Sequence, residues 1–276
     1  MVSKLYDNPE IWRIDVPLPE NPLRNLNSYV VRSNGHALVI DTGFNRSECH
    51  EALWEGLREL EVDLGRTELF LTHLHSDHCG LVQGFVDRGC QVYMSEVDYE
   101  YLRNSREKGS WGYMEQWFGR EGFPDEEMKL QASGNQARLY APKEMFPAAK
   151  MKNGDTVHVG DAELLCISTP GHTPGHVVLY MPDGQILFSG DHILFDITPN
   201  ISVWRNVPHS LADYMESLRK VKKLPIRLTL PAHRKNDGDV YERIDAILEH
   251  HRIRLEEIRR AAVEEHLKTC EACQAA

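Results

Sequence analysis

Four side chains able to bind a metal ion fall within six consecutive positions of this 276-residue chain: His73, His75, Asp77 and His78. On an extended segment alternate side chains point the same way, so His73 and His75 can reach one ion together. Asp77 and His78 then offer an oxygen and a nitrogen toward a neighbouring position. Neutral imidazole and carboxylate are borderline donors that suit zinc, and also iron or manganese, and no thiolate lies in the cluster. A cation held this way lowers the pKa of a bound water and polarises an oxygen of the bond under attack, which is the chemistry of hydrolysis. A lone histidine is ordinarily a surface or satisfied core residue. This density of donors directly after an apolar run argues for a site.

That run, Leu69-Phe70-Leu71, reads as a short buried strand, and residues 72–78 sit where α/β folds carry functional loops. Upstream, Tyr29-Val30-Val31 and Ala37-Leu38-Val39-Ile40 flank Asn34-Gly35, a dipeptide that tolerates the positive φ angles of a tight turn, so a hairpin ending at Asp41 is expected. Leu53, Leu57, Leu60 and Leu64 recur at helical spacing. A second strand-rich half covers 156–159, 163–167, 177–180 and 185–189, with turns at Gly160-Asp161 and Asp183-Gly184. Between the halves, residues 97–150 read as a helical insertion rich in aromatics, among them Tyr99, Tyr101, Trp111, Tyr113, Trp117 and Phe118. These could wall a small organic substrate or simply pack the insertion onto the core. After Asp191 the chain predicts a helix at 211–221, a strand at 227–230 and a long helix from Asp239. That helix carries the apolar stripe Val240, Ile244, Ile247, Leu248, Leu255 and Ile258.

Composition is that of an ordinary globular protein, with 41% hydrophobic and 26% charged residues. The length allows one large domain over 1–235, with 236–276 as a C-terminal helical extension. A net charge of −11 repels phosphate backbones and disfavours a nucleic-acid partner. The segment from Met1 to Asp7 lacks a signal-like apolar run and no stretch approaches a membrane span, so a cytoplasmic protein without a membrane partner is expected. The six cysteines are too sparse for a disulfide scaffold. His266, Cys270 and Cys273 are spaced to share one helix face, but a zinc there would lack a fourth ligand, and reduced thiols in a frayed tail are expected.

Beyond these local readings, His73-Leu74-His75-Ser76-Asp77-His78 resembles the H-x-H-x-D-H signature of the metallo-β-lactamase superfamily. Thr169-Pro170-Gly171-His172, Ser189-Gly190-Asp191-His192 and Leu230-Pro231-Ala232-His233 match its further motifs in order, and Asp41-Thr42-Gly43 matches its early Asp-x-Gly turn. Ala232 stands where the family often has glycine. The resemblance spans about residues 27–233. It implies an α/β fold, the four-layer αββα sandwich, with the helical insertion and C-terminal extension added. It also implies two divalent metal ions, zinc first among the candidates. His73, His75 and His172 would bind one, Asp77, His78 and His233 the other, and Asp191 both. Asp77 and Asp191 are then the candidate catalytic carboxylates, Asp77 relaying a proton to the leaving group. Asp41 is expected to orient a ligand without touching metal, and His176 to have a structural or ligand-orienting role instead of binding metal; His192 is left unassigned.

The superfamily hosts several reactions, so the substrate must come from elsewhere. An aspartate at 191, where one lactamase class has cysteine, argues against antibiotic hydrolysis. The chain has His75 where flavodiiron relatives have glutamate, and its charge sits badly with polyanionic RNA. The remaining pattern is closest to the glyoxalase II-like group, meaning hydrolysis of a thioester or ester of a small molecule. Phosphodiester cleavage, lactone hydrolysis and a mononuclear iron sulfur dioxygenase are the alternatives. The arginines of the terminal helix, interleaved with glutamates, read as a solvated face, and a homo-oligomer is possible.

Overall fold

A computed structural model describes residues 1–108 and 116–269. Two sheets form its centre. The first contains β1 (Val2–Asp7), β2 (Glu10–Pro17), β3 (Asn25–Ser33), β4 (His36–Ile40), β5 (Thr67–Leu71), β6 (Gln91–Ser95) and β7 (Ala149–Met151), in that spatial order. Its first four strands pair antiparallel, and from β4 to β7 the pairing is parallel. The second sheet has the order β12 (Leu228–Pro231), β11 (Ile186–Gly190), β10 (Val177–Met181), β9 (Ala162–Ser168), β8 (Thr156–Val159), with only β11 and β12 parallel.

Parallel neighbours require crossover connections, and helices supply them. Helix α1 (Ser47–Glu59) joins β4 to β5, while α2 (Ser76–Cys79) and α3 (Val82–Val86) join β5 to β6. Between β6 and β7 lie α4 (Glu96–Lys108), α5 (Asp125–Gly134) and α6 (Gln136–Leu139). Helix α7 (Ser210–Val221) links β11 to β12, and α8 (Val240–Thr269) follows. The expected hairpin closes as read: Ser33 pairs with His36, and Asn34 and Gly35 take φ of 51° and 77°. The first two strands were not foreseen from the sequence.

Three apolar clusters define the layers. Ile11, Val31, Ile40 and Phe70 of the first sheet meet Val157, Leu164, Leu179, Phe188 and Leu230 of the second. On the outer face of the first sheet, Ile14, Val30, Val39 and Leu69 pack with Leu53 and Leu57 of α1 and Phe85 of α3. On the outer face of the second, Val178, Tyr180 and Leu187 pack with Tyr214, Leu218 and Val221 of α7 and Val240, Ile244 and Ile247 of α8. The order is helix, sheet, sheet, helix. Each large side chain buried in this way contributes roughly 1.5–3 kcal/mol of transfer free energy.

The stripe on α8 divides. Ile244 and Ile247 are fully buried, whereas Leu255 and Ile258 are 46% and 61% exposed. Periodicity continues along the helix, but only its first turns meet the sheet. Cys49, Cys79, Cys90 and Cys166 are buried free thiols. Trp111, Tyr113, Cys270 and Cys273 lie outside the described residues. Among the described residues no helix is long and apolar enough to cross a membrane.

Candidate metal centre

The seven donors foreseen in the sequence leave the C-terminal ends of four strands, one in the first sheet and three in the second. His73, His75, Asp77 and His78 follow β5; His172 follows β9, Asp191 follows β11 and His233 follows β12. Helix α2 begins directly after His75, whose extended backbone (φ −64°, ψ 145°) makes the turn that brings Asp77 and His78 back toward the strand end. The sheets therefore deliver all seven side chains to one edge of the sandwich.

Their donor atoms form three overlapping groups, each within 4.8 Å: His73 with His75 and His172; His73 with His78 and Asp191; Asp77 with His78 and His233. His75 Nδ1 lies 3.0 Å from both His73 Nε2 and His172 Nε2. On the other side, His233 Nε2 lies 3.2 Å from His78 Nε2 and 3.4 Å from Asp77 Oδ2. The two oxygens of Asp191 face different groups, Oδ2 at 3.4 Å from His172 Nε2 and Oδ1 at 3.2 Å from His233 Nε2. Donors on one tetrahedral ion with bonds of about 2.1 Å stand roughly 3.4 Å apart, so these separations suit shared cations. Asp191 Oδ1 is also buried without a hydrogen bond. The His and Asp clusters are thus able to bind metal ions, and the donor chemistry fits the group.

Charge within the centre follows the same division. Burial, reinforced by the adjacent imidazoles, pushes His73 and His75 well below the ordinary histidine range. Burial opposes protonation of His78 too, but the carboxylates of Asp41, Asp191 and Asp77 outweigh it and raise its pKa to about 10. His233 is raised in the same way, against burial, by Asp191 and Asp77. Burial works against the charge of Asp191, yet His233 and His78 hold its carboxyl well below the usual range.

Further contacts fix these candidate donors. Asp41, held at φ 61°, takes the Thr72 N–H on Oδ1 and the Thr72 hydroxyl on Oδ2, each at 2.8 Å, and Oδ2 also meets His78 Nδ1 at 2.8 Å. His176 lies outside the donor groups: Nδ1 meets Thr169 Oγ1 at 2.8 Å and Nε2 accepts the Asp191 N–H at 3.1 Å. His172 Nδ1 lies 2.7 Å from the Asn200 carbonyl, and His233 Nδ1 2.7 Å from that of Asn25. His192 is fully buried with neither ring nitrogen hydrogen-bonded, and its pKa is pushed down by burial to about 3.

Three residues beside the centre were not singled out as site residues from sequence. Asp98, at the start of α4, accepts hydrogen bonds from Leu74 N, Thr173 Oγ1 and Gly175 N. Trp204 stacks on His75, with centroids 6.0 Å apart and planes at 26°, and donates from Nε1 to the His172 carbonyl. Tyr101 meets the Trp204 ring edge-on at 6.0 Å and donates to the Arg205 carbonyl. Tyr101 was noticed only as part of the aromatic insertion.

The family model of the metallo-beta-lactamase superfamily matches residues 22–233. The chain belongs to this superfamily. It is 29% identical over 219 residues to the human acyl-coenzyme A thioesterase MBLAC2, covering 75% of this chain and 72% of that protein. It is 25% identical over 256 residues to the probable metallo-hydrolase YqjP of Bacillus subtilis, covering 89% and 78%. Among solved structures, the metallo-beta-lactamase family protein TTHA1429 of Thermus thermophilus superposes with a TM-score of 0.77 at 26% identity, covering 90% and 81%. Family and fold together define a metallo-hydrolase.

Proposed function

We propose that this chain hydrolyses an acyl thioester of a small carrier such as coenzyme A, with two divalent ions. His73, His75 and His172 would hold one ion, Asp77, His78 and His233 the other, and Asp191 would be available to both. Zinc is the metal this donor set suits best. The observation that carries the reading is Asp191, whose two oxygens face opposite ends of the three overlapping donor groups, Oδ2 toward His172 and Oδ1 toward His233.

When bound, such ions supply a hydroxide at neutral pH and polarise the scissile carbonyl. The protein's part is to keep His73 and His75 neutral, Asp191 ionised, and His78, His172 and His233 oriented through their Nδ1 atoms. Asp77, beside His233, is placed to take up the proton given up by the attacking water and relay it to the departing sulfur. A thiol of pKa about 8.5 leaves readily as thiolate, so a thioester asks little of that acid. Trp204 and Tyr101 supply an apolar flank next to His75 for the acyl portion. The name of the human relative directs the choice of carrier toward coenzyme A, and glutathione thioesters are the competing substrates.

The test is metal analysis of purified protein followed by a panel of acyl-coenzyme A esters, glutathione thioesters, a lactone and a phosphodiester. Two metal equivalents with turnover of acyl-coenzyme A, lost on chelation, is the expected result. Preferential phosphodiester turnover would overturn the thioester reading. A single iron per chain with oxygen consumption would overturn hydrolysis altogether.

A further inference from the structure

Asp98 is fully buried, and the hydrogen bonds described for its carboxylate all run to the two loops that carry one candidate cluster. Oδ2 accepts the Leu74 N–H at 2.9 Å, and Leu74 lies between His73 and His75. The same oxygen accepts the Thr173 hydroxyl at 2.6 Å, and Thr173 follows His172. Oδ1 accepts the Gly175 N–H at 2.6 Å. Donors 24 and 75 residues away in sequence are thus tied to one carboxylate. Hydrogen bonds to an ionised acceptor are short and strong, so this junction is stiffer than a neutral one.

The packing is built around that junction. A Cβ on Gly175 would lie 2.4 Å from Asp98 N and 2.7 Å from Asp98 Oδ1, so only glycine lets this loop close on the carboxylate. Ser95 accepts the Asp98 N–H at 3.1 Å and fixes the first turn of α4 in the capping position. One turn further along the helix, Tyr101 reaches the same two ligands by another route. Its ring meets Trp204, which stacks on His75 and donates to the carbonyl of His172. No comparable contact from α4 reaches His78 or His233 among the described residues; His78 is held by Asp41 and His233 by the Asn25 carbonyl.

We propose that Asp98 is a positioning residue for the His73, His75 and His172 cluster, setting the spacing between the loop of His73 and His75 and the loop of His172. This rests on the two-ion reading above. The two ions therefore respond unequally to its loss. Asp98→Asn keeps the volume but places an amide N–H₂ against one of three N–H or O–H donors, so the loops part.

The experiment is a stepwise zinc titration of metal-free protein against a chromophoric chelator, repeated with cobalt to record the absorption of each filled site. Asp98→Asn weakens the ion held by His73, His75 and His172 on the order of 10–100-fold and shifts its cobalt spectrum, leaving the other constant unchanged. Thr173→Val, which removes one donor only, gives a smaller loss in the same step and none when added to Asp98→Asn. It serves as the readout if Asp98→Asn does not fold. Equal weakening of both ions, or two unchanged constants with reduced thermal stability alone, would show a merely structural carboxylate and overturn the proposal. Wild-type protein binding only one ion would overturn the two-ion reading, and the effect of Asp98→Asn on that ion would still decide the role of Asp98.

Discussion

His78 joins Asp41 to the candidate centre: its Nδ1 lies 2.8 Å from Asp41 Oδ2 while its Nε2 lies 3.2 Å from His233 Nε2. With the proton on Nδ1 directed at the carboxylate, Nε2 is left as the lone-pair nitrogen a cation requires. Asp41 also anchors both the N–H and the hydroxyl of Thr72, directly before His73. One carboxylate therefore sets the tautomer of one candidate ligand and the starting point of another.

Asp41→Asn tests this link without disturbing the backbone, because asparagine tolerates the left-handed φ of 61° found there. Its amide presents a donor to His78 or loses a Thr72 bond. Metal affinity of the cluster containing His78 should fall on the order of 10–100-fold. A competition titration that finds both affinities intact would refute the assignment.

Protons should leave one cluster and not the other as metal enters. His73 and His75 are already neutral near pH 7, whereas His78, raised to about 10, is protonated in the metal-free protein. A cation must displace that proton, so affinity at the His78 cluster should rise about tenfold per pH unit for each proton released between pH 7 and 9. At the His73 cluster it should stay nearly level. Calorimetry in two buffers of different ionisation enthalpy reads the difference directly. The metal-free protein has the opposite trend: a folded-state pKa raised above the unfolded value of 6.5 contributes stability at low pH that is lost as pH rises toward 10.

Gly171 has φ 141°, and a Cβ there would meet Tyr214 Cβ at 2.3 Å and Cα at 2.5 Å. Gly171→Ala should cost about 1–3 kcal/mol from overpacking, with conformational strain in addition, and should displace His172. Denaturant unfolding of the metal-free variant measures the first effect, and metal titration the second. An unaltered midpoint would count against the close approach of this loop to α7.

The two halves of the α8 stripe should behave differently. Ile244→Ala opens a void between α8 and the second sheet and should cost about 2–5 kcal/mol. Ile258→Ala, on the exposed continuation, should stay within about 0.5 kcal/mol. Comparable losses at both positions in urea melts would mean that the distal stripe has a partner.

Legibility in the sequence followed the range of each interaction. The donors were readable because His73 to His78 lie together, and the later motifs stand in a recognisable order. The β3–β4 hairpin was readable because Asn34-Gly35 states its own backbone geometry. Asp98 was not, since its partners lie 24 to 77 residues away and an aspartate near a helix start has an ordinary capping role. Trp204 was equally silent, because nothing local couples it to His75. The first strand mixes half-buried and exposed residues without alternating cleanly, so the period-two signal that marks a strand is weak there. In α8 the pattern was correct and its meaning incomplete, because a stripe records what a helix could bury.

The centre straddles the seam between the two sheets, and His78 meets its neighbour His233 across 155 residues of chain. A contact of that separation must repay the closure entropy of a long intervening loop. The apolar interface between the sheets, from Ile11 and Phe70 to Phe188 and Leu230, involves none of the donors. The core between the sheets is therefore built from residues other than the donors, so stripping metal from the protein should empty the centre while leaving that core in place, which a urea melt in the presence of chelator would show.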